Sequence, residues 1–204
     1  MNRLLILGAG QYGTVAKEVA EAMGCYKNIA FLDDKSPNAV GKLEDYANFS
    51  GKYPYAFVAI GNLALRAEWI RRLREAGFFL PVLVHPRAVV MPSAEVGAAS
   101  IIEAMAVINS NAVVGEGSII SCGAVVNHNA EVGAASIIEA MAVINSNAVV
   151  GEGSIISSGS VVNHNATVGN HCHIDCNAVV PANEAVPDQT KILYGTVYHS
   201  QQEE

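Results

Sequence analysis

The chain has 204 residues, 51% of them apolar and 15% charged, with a formal net charge of −7. That length holds one large domain or two small ones, and the composition is that of a folded, core-rich protein. The acidic balance argues against nucleic acid or an anionic membrane as the main partner, while leaving room for a local basic pocket for a phosphate.

No charged and apolar leader opens the chain, and no apolar run is long enough to span a bilayer. The four cysteines (Cys25, Cys122, Cys172, Cys176) form no disulfide framework, so a cytoplasmic, reducing location is expected. "RLLILGAG" reads as a short buried strand ending in glycines. "QYGTVAKEVAEAM" has helical spacing, with Val15, Val19 and Ala22 or Met23 along one face. "NIAFLDD" and "YAFVAIGN" follow as second and third strands. "LALRAEWIRRLREAG" is an amphipathic helix closed by Gly77. This β-α-β order predicts a small α/β, Rossmann-like domain over residues 1–83 with a parallel sheet.

From Val84 onward a Val or Ile recurs every six residues, through Val90, Val96, Ile102 and onward to Ile192. Two residues before each, the residue is usually small, as at Ser100, Ala106 and Ala112. The physical solution is a triangular solenoid over residues 84–198, three hexads per coil, with the β-branched residue pointing inward and the small one letting the chain turn. A short tail, 199–204, closes the chain. "AEVGAASIIEAMAVINSNAVVGEGSIIS" occurs twice, from Ala94 and again from Ala130, and the copies continue as a near-exact tandem repeat (94–130 and 130–166) that differs at Cys122 against Ser158 and Ala124 against Ser160. The offset of 36 residues is two whole coils, so every inward residue stays inward.

Two places could carry chemistry. Gly8, Gly10 and Gly13 form G-x-G-x-x-G between a strand and a helix, with Asp33 and Asp34 about twenty residues on. The glycines allow a pyrophosphate close to the helix N-terminus, and the acidic pair suits ribose hydroxyls or a base edge. One unit of this size suits a nucleotide-linked sugar better than a whole dinucleotide. In the solenoid, "GAVVNHNAEVG" and "GSVVNHNATVG" set His128 and His164 at the same corner, two coils and roughly 10 Å apart. A neutral imidazole there is a candidate general base. The Cys172–Cys176 run, with His171 and His173, matches no standard zinc spacing, so no metal is expected.

Taken together, "LILGAGQYG", "FLDD", "AIGN" with Arg66, "VLVHPRA", the hexads and "GAVVNHNAEVG" resemble the bacterial sugar O- and N-acetyltransferases of the sialic acid and bacillosamine type, within the hexapeptide-repeat acyltransferases. The resemblance covers nearly the whole chain. It implies a left-handed parallel β-helix, a homotrimer, acetyl-CoA in clefts between neighbouring prisms, and a UDP-linked amino sugar held by the small domain. By position, Gly8, Gly10 and Gly13 would meet the phosphates, Asp33 and Asp34 the nucleoside, and Gly61 and Asn62 the pocket wall. His128 or His164 would be the base. Gly123, Gly159 and His173 would serve acetyl-CoA, with backbone groups polarising the thioester.

Three features depart from the family pattern. Asn129 and Asn165 stand where an acidic residue usually follows the histidine, the C-terminal part is short and ends in an acidic tail, and there are two candidate bases. The 43-residue distance from His85 favours His128 as acceptor base; the downstream His173, replaced in the first copy by Ile137, favours His164. The balance leans to His128. N-acetylation of a nucleotide-linked amino sugar leads, followed by O-acetylation of sialic acid or its CMP form. A metal-dependent hydratase of the γ-carbonic anhydrase type and a non-catalytic solenoid, natural or engineered, are the readings from other classes.

Overall fold

The computed structural model describes residues 2–200. The chain forms two compact units, Met1–Pro86 and Arg87–Glu204, where the sequence suggested a division after residue 83. The expected tail falls, from residue 201, outside the described residues.

The first unit contains β1 (Asn2–Leu7), α1 (Gln11–Ala22), β2 (Tyr26–Leu32), β3 (Tyr55–Val58) and α2 (Leu63–Glu75). Its sheet is parallel in the order β2-β1-β3. The central β1 is a continuous apolar run because both of its faces are covered: Leu4, Leu5, Ile6 and Leu7 are fully buried. Helix α1 buries Gly13, Ala16, Val19 and Ala20, a face rotated from the one expected through Val15, which is half-buried. Close packing is the reason. A Cβ at Gly13 would lie 2.1 Å from the Gly8 carbonyl oxygen, so the helix approaches the β1 turn through its smallest residues. Helix α2 is capped by the Asn62 side chain, which accepts the Leu65 N–H at 2.9 Å. It ends at Gly77, whose φ of +83° accompanies a Phe78 N–H to Leu73 carbonyl bond of 3.1 Å.

The second unit is a parallel β-helix of two-residue strands. Within the described residues from 87 to 200, each of its three faces carries six strands, stacked in register one coil apart, as in Ile119 beside Ile101 and Ile137. Every inward Val or Ile from Ile102 to Ile192 is buried, which makes the core a set of aliphatic ladders. The small residues Ser100, Ala106, Ala112 and Ser118 are also fully buried. They line the interior, and the turn itself is made one residue earlier. Ala99, Met105 and Asn111 there have φ between 58° and 64°, the left-handed conformation that Gly and Asn adopt most cheaply. The buried serines are satisfied from coil to coil: Ser118 Oγ donates to the Gly133 carbonyl at 3.1 Å and Ser100 Oγ accepts the Ser118 N–H at 3.1 Å. Two asparagine ladders run up one corner. Asn109, Asn127, Asn145 and Asn163 are linked at 2.9–3.2 Å, and Asn111, Asn129, Asn147, Asn165 and Asn183 at 3.1–3.2 Å. The 36-residue repeat fits because each coil meets only its neighbours.

Candidate active site

In the α/β unit the three loops that leave the carboxyl ends of β1, β2 and β3 carry the residues singled out in the sequence. Because the chain order is β2-β1-β3, β1 and β3 flank the point where the topology reverses, the usual place for a ligand crevice in such sheets. Gly8 has φ +102°, and a Cβ on it would lie 2.6 Å from the Ala59 carbonyl oxygen. Glycine therefore lets the first and third loops lie side by side. Among the described residues, no group beyond the immediate chain neighbours lies within 4 Å of the Cβ position at Gly10 or Gly61, so both keep an open approach.

Asp33 Oδ2 accepts the Ala9 N–H at 2.8 Å. Its Oδ1 accepts the Lys35 and Ser36 N–H groups, each at 2.8 Å. These bonds, that from Ala9 first, hold the Asp33 carboxyl below the usual carboxylate range. Asp34 Oδ1 accepts the Leu43 N–H at 3.1 Å. Both acids thus brace the loops with at least one oxygen, and Asp33 with two. Sequence reasoning treated them as ligand contacts only.

Arg66 was noted in the sequence without a role. It is 1% exposed on the inner face of α2, and its Nη1 donates to the Ile60 and Gly61 carbonyls at 3.1 and 3.3 Å. It interacts with the Tyr12 phenol, and burial pushes its guanidinium below its ordinary pKa. Asn62 is engaged as the helix cap. The third loop is thereby fixed from within the unit. A separate groove of about 610 Å³ runs along β2, lined by Lys17, Tyr26, Asn28, Phe31 and Tyr53 among others. There burial pushes the Tyr26 phenol up to about 12. It follows the length of the strand rather than the glycine loops.

In the β-helix, His128 and His164 are exposed. They project between the two asparagine ladders, in one column with Ser146 between them. The N–H groups of Gly123 and Gly159 donate to the Ala104 and Ala140 carbonyls at 3.2 and 3.1 Å, so these amides are already used within the solenoid. Met141 covers Gly123, with its Sδ 2.6 Å from the Cβ position, and Asn177 covers Gly159. His173 lies on a different face from the column, half-buried, with Nε2 3.3 Å from Ser157 Oγ. Sequence reasoning missed Ser157; the contact crosses diagonally between coils, where no local motif reveals it. Strand alternation separates Cys172 from His173. The thiol turns inward, donating to the Pro187 carbonyl at 3.1 Å, while the imidazole turns outward. Among the described residues, no three His, Cys, Asp or Glu side chains are grouped as a metal site.

An α/β unit with braced glycine loops, followed by a hexad-built β-helix with a histidine corner, is the architecture of a hexapeptide-repeat acyltransferase. The model of the PglD N-terminal domain matches residues 3–73. The acetyltransferase domain of PglB from Neisseria gonorrhoeae FA1090, in complex with acetyl coenzyme A, is 32% identical and superposes with a TM-score of 0.88, covering 94% of this chain and 96% of that one. A mutant of GDP-perosamine N-acetyl transferase from Caulobacter crescentus, in complex with CoA and GDP-perosamine, is 28% identical with a TM-score of 0.89, covering 94% and 93%. The UDP-N-acetylbacillosamine N-acetyltransferase of Bacillus subtilis (strain 168) is 29% identical over 111 residues. That match spans about half of each chain, 50% of this one and 51% of the relative. The chain belongs to this family of bacterial sugar acetyltransferases.

Proposed function

We propose that the protein transfers acetyl from acetyl-CoA to the amino group of a nucleotide-linked amino sugar. The observation that carries this reading is the likeness, over 94% of the chain, to relatives whose complexes hold acetyl coenzyme A in one case and CoA with GDP-perosamine in another. The glycine loops, open at Gly10 and Gly61 and held by Asp33 and Arg66, suit the pyrophosphate and nucleoside. A corner histidine, His128 or His164, takes the proton as the amine attacks the thioester carbonyl. The C–N bond forms, the C–S bond breaks, and the imidazolium returns the proton to the leaving thiolate. The products are the N-acetyl sugar and free CoA.

A homotrimer accompanies this reading. The outward column of one β-helix face is Val107, Val125, Val143, Val161 and Val179, all half-buried, and the next carries the half-buried Ile137 and Ile155 above Ile101 and Ile119, which are already buried within the chain. The third alternates Glu95, Glu131 and Thr167 with Val113, Val149 and Ala185. The half-exposed valine column, continued by Ile137 and Ile155 on the next face, suits side-by-side packing of identical prisms about a closed axis. The test is free-thiol release from acetyl-CoA with UDP- and GDP-linked amino sugars, against CMP-sialic acid as a hydroxyl acceptor. Turnover with an amino sugar and none with the hydroxyl acceptor is expected; the reverse pattern overturns N-acetylation.

A further inference from the structure

Each coil has three left-handed corners, and in the coil beginning near His164 these are Asn165, His171 and Asn177. His164 adjoins the first. The Ser157–His173 contact lies on the face between the other two, across the prism from His164. One chain therefore cannot bring His164 and His173 together. Along the axis, however, they are nine residues apart, half of an 18-residue coil and roughly 2–3 Å. His128 and His173 differ by two and a half coils, roughly 12 Å. Rotation about an axis parallel to the prism preserves height. In such an assembly His173 of one copy faces the level of His164 in its neighbour and not that of His128. The residue that faces the level of His128 is Ile137, which occupies the place of His173 one repeat earlier.

Resting on the trimer and chemistry proposed above, we infer that each chain completes one catalytic pocket, His164 of one copy opposite Ser157 and His173 of the next. The first repeat holds an unfinished copy of it, His128 opposite Ser121 and Ile137. Ser157 is a positioning residue. Its hydroxyl lies 3.3 Å from His173 Nε2 and orients the ring, donating to Nε2 or accepting from it according to the tautomer. The repeat thus doubled the histidine corner without doubling its counterpart, because His173 lies beyond residue 166.

Geometry and chemistry are tested separately. Cysteines introduced as His164→Cys and His173→Cys should join copies through a short bismaleimide whose reach is below the roughly 12 Å axial offset, above the background from native thiols in the parent chain. His128→Cys with His173→Cys should not. Equal crosslinking from both pairs overturns the pairing, whether or not any acceptor turns over.

In the thiol-release assay His164→Ala should lose at least about a hundredfold. Ile137→His added to that variant should recover about tenfold of it by completing the pocket at His128. Ser157→Ala should lower kcat/KM roughly tenfold and move the acid limb of its pH profile, with Ser157→Thr restoring both and Ser121→Ala changing neither. Parent-level turnover in His164→Ala, or no recovery with Ile137→His, overturns the inference. A parent inactive on every acceptor, with the 164–173 crosslink intact, overturns the proposed function instead.

Discussion

Asp33 Oδ2 and the Ala9 N–H meet at 2.8 Å, which ties the glycine loop after β1 to the end of β2, 24 residues away. The acid that a motif search assigns to a ribose is also the clamp that shapes the phosphate loop. Asp33→Ala should raise KM for the nucleotide sugar about tenfold, equivalent to about 1.4 kcal/mol, with a smaller change in kcat. Its folded pKa lies below the ordinary 3.8. The clamp's contribution is therefore complete above that value and is lost as pH falls through the lowered one. Thermal scans from pH 6 to pH 3 should show the parent losing its advantage over Asp33→Ala in the acid range.

Arg66 is buried against the Ile60 and Gly61 carbonyls. Arg66→Met fills much of the volume and strands both acceptors, at a cost of about 2 kcal/mol. A fall in Tm of roughly 4–8 °C is expected by calorimetry, with weaker nucleotide-sugar binding. An unchanged Tm would show that the carbonyls find other donors.

Gly133 follows the outward strand of one face, and a Cβ there would lie 2.5 Å from the backbone nitrogen of Glu152 in the next coil. Backbone cannot give way as a side chain does. Gly133→Ala should cost about 3 kcal/mol and broaden the unfolding of the β-helix, measured by circular dichroism.

Asn147 combines φ of +60° with two ladder bonds, donating to Asn165 and accepting from Asn129. Asn147→Ala loses both bonds and leaves a Cβ in the left-handed region without the amide that makes it tolerable there, for a loss of about 1–2 kcal/mol. Asn147→Gly loses only the ladder and should sit closer to the parent in urea unfolding.

Glu103 is shifted upward from its ordinary 4.5 by burial, although it accepts the Cys122 N–H at 3.1 Å. A raised carboxyl favours folding below its unfolded value, and that benefit is lost as pH rises through the folded one. Glu103→Gln keeps an acceptor without the charge. It should match the parent near pH 4 and exceed its Tm by a degree or two, about 0.5 kcal/mol, at pH 7; a lower Tm at pH 7 would assign the charge a stabilising partner.

The β-helix was legible because its inward site accepts so few side chains: from Ile102 to Ile192 only Val and Ile occupy it, and all are buried. The corner was less so. Asn111 and Gly117 announce a left-handed residue, whereas Ala99, Met105 and His171 adopt the same φ under compulsion from the coil. Hydropathy misplaced the buried face of α1 because Gly13, Ala16 and Ala20 carry little apolar signal, yet small size is what lets the helix approach. The shared column of His128 and His164 followed from the 36-residue offset alone. The inward turn of Asp33, the burial of Arg66 and the Ser157–His173 contact depend on partners brought close by tertiary folding.

The near-identical copies also bear on heredity. Tandem copies this alike in residues invite unequal recombination wherever their codons match, which adds or removes one unit of 36 residues at a time. Each such event leaves the ladders in phase, so the prism can lengthen or shorten without passing through a misfolded ancestor. Length here is a heritable trait that changes in steps, and selection can act on reach before any residue in the site has been altered.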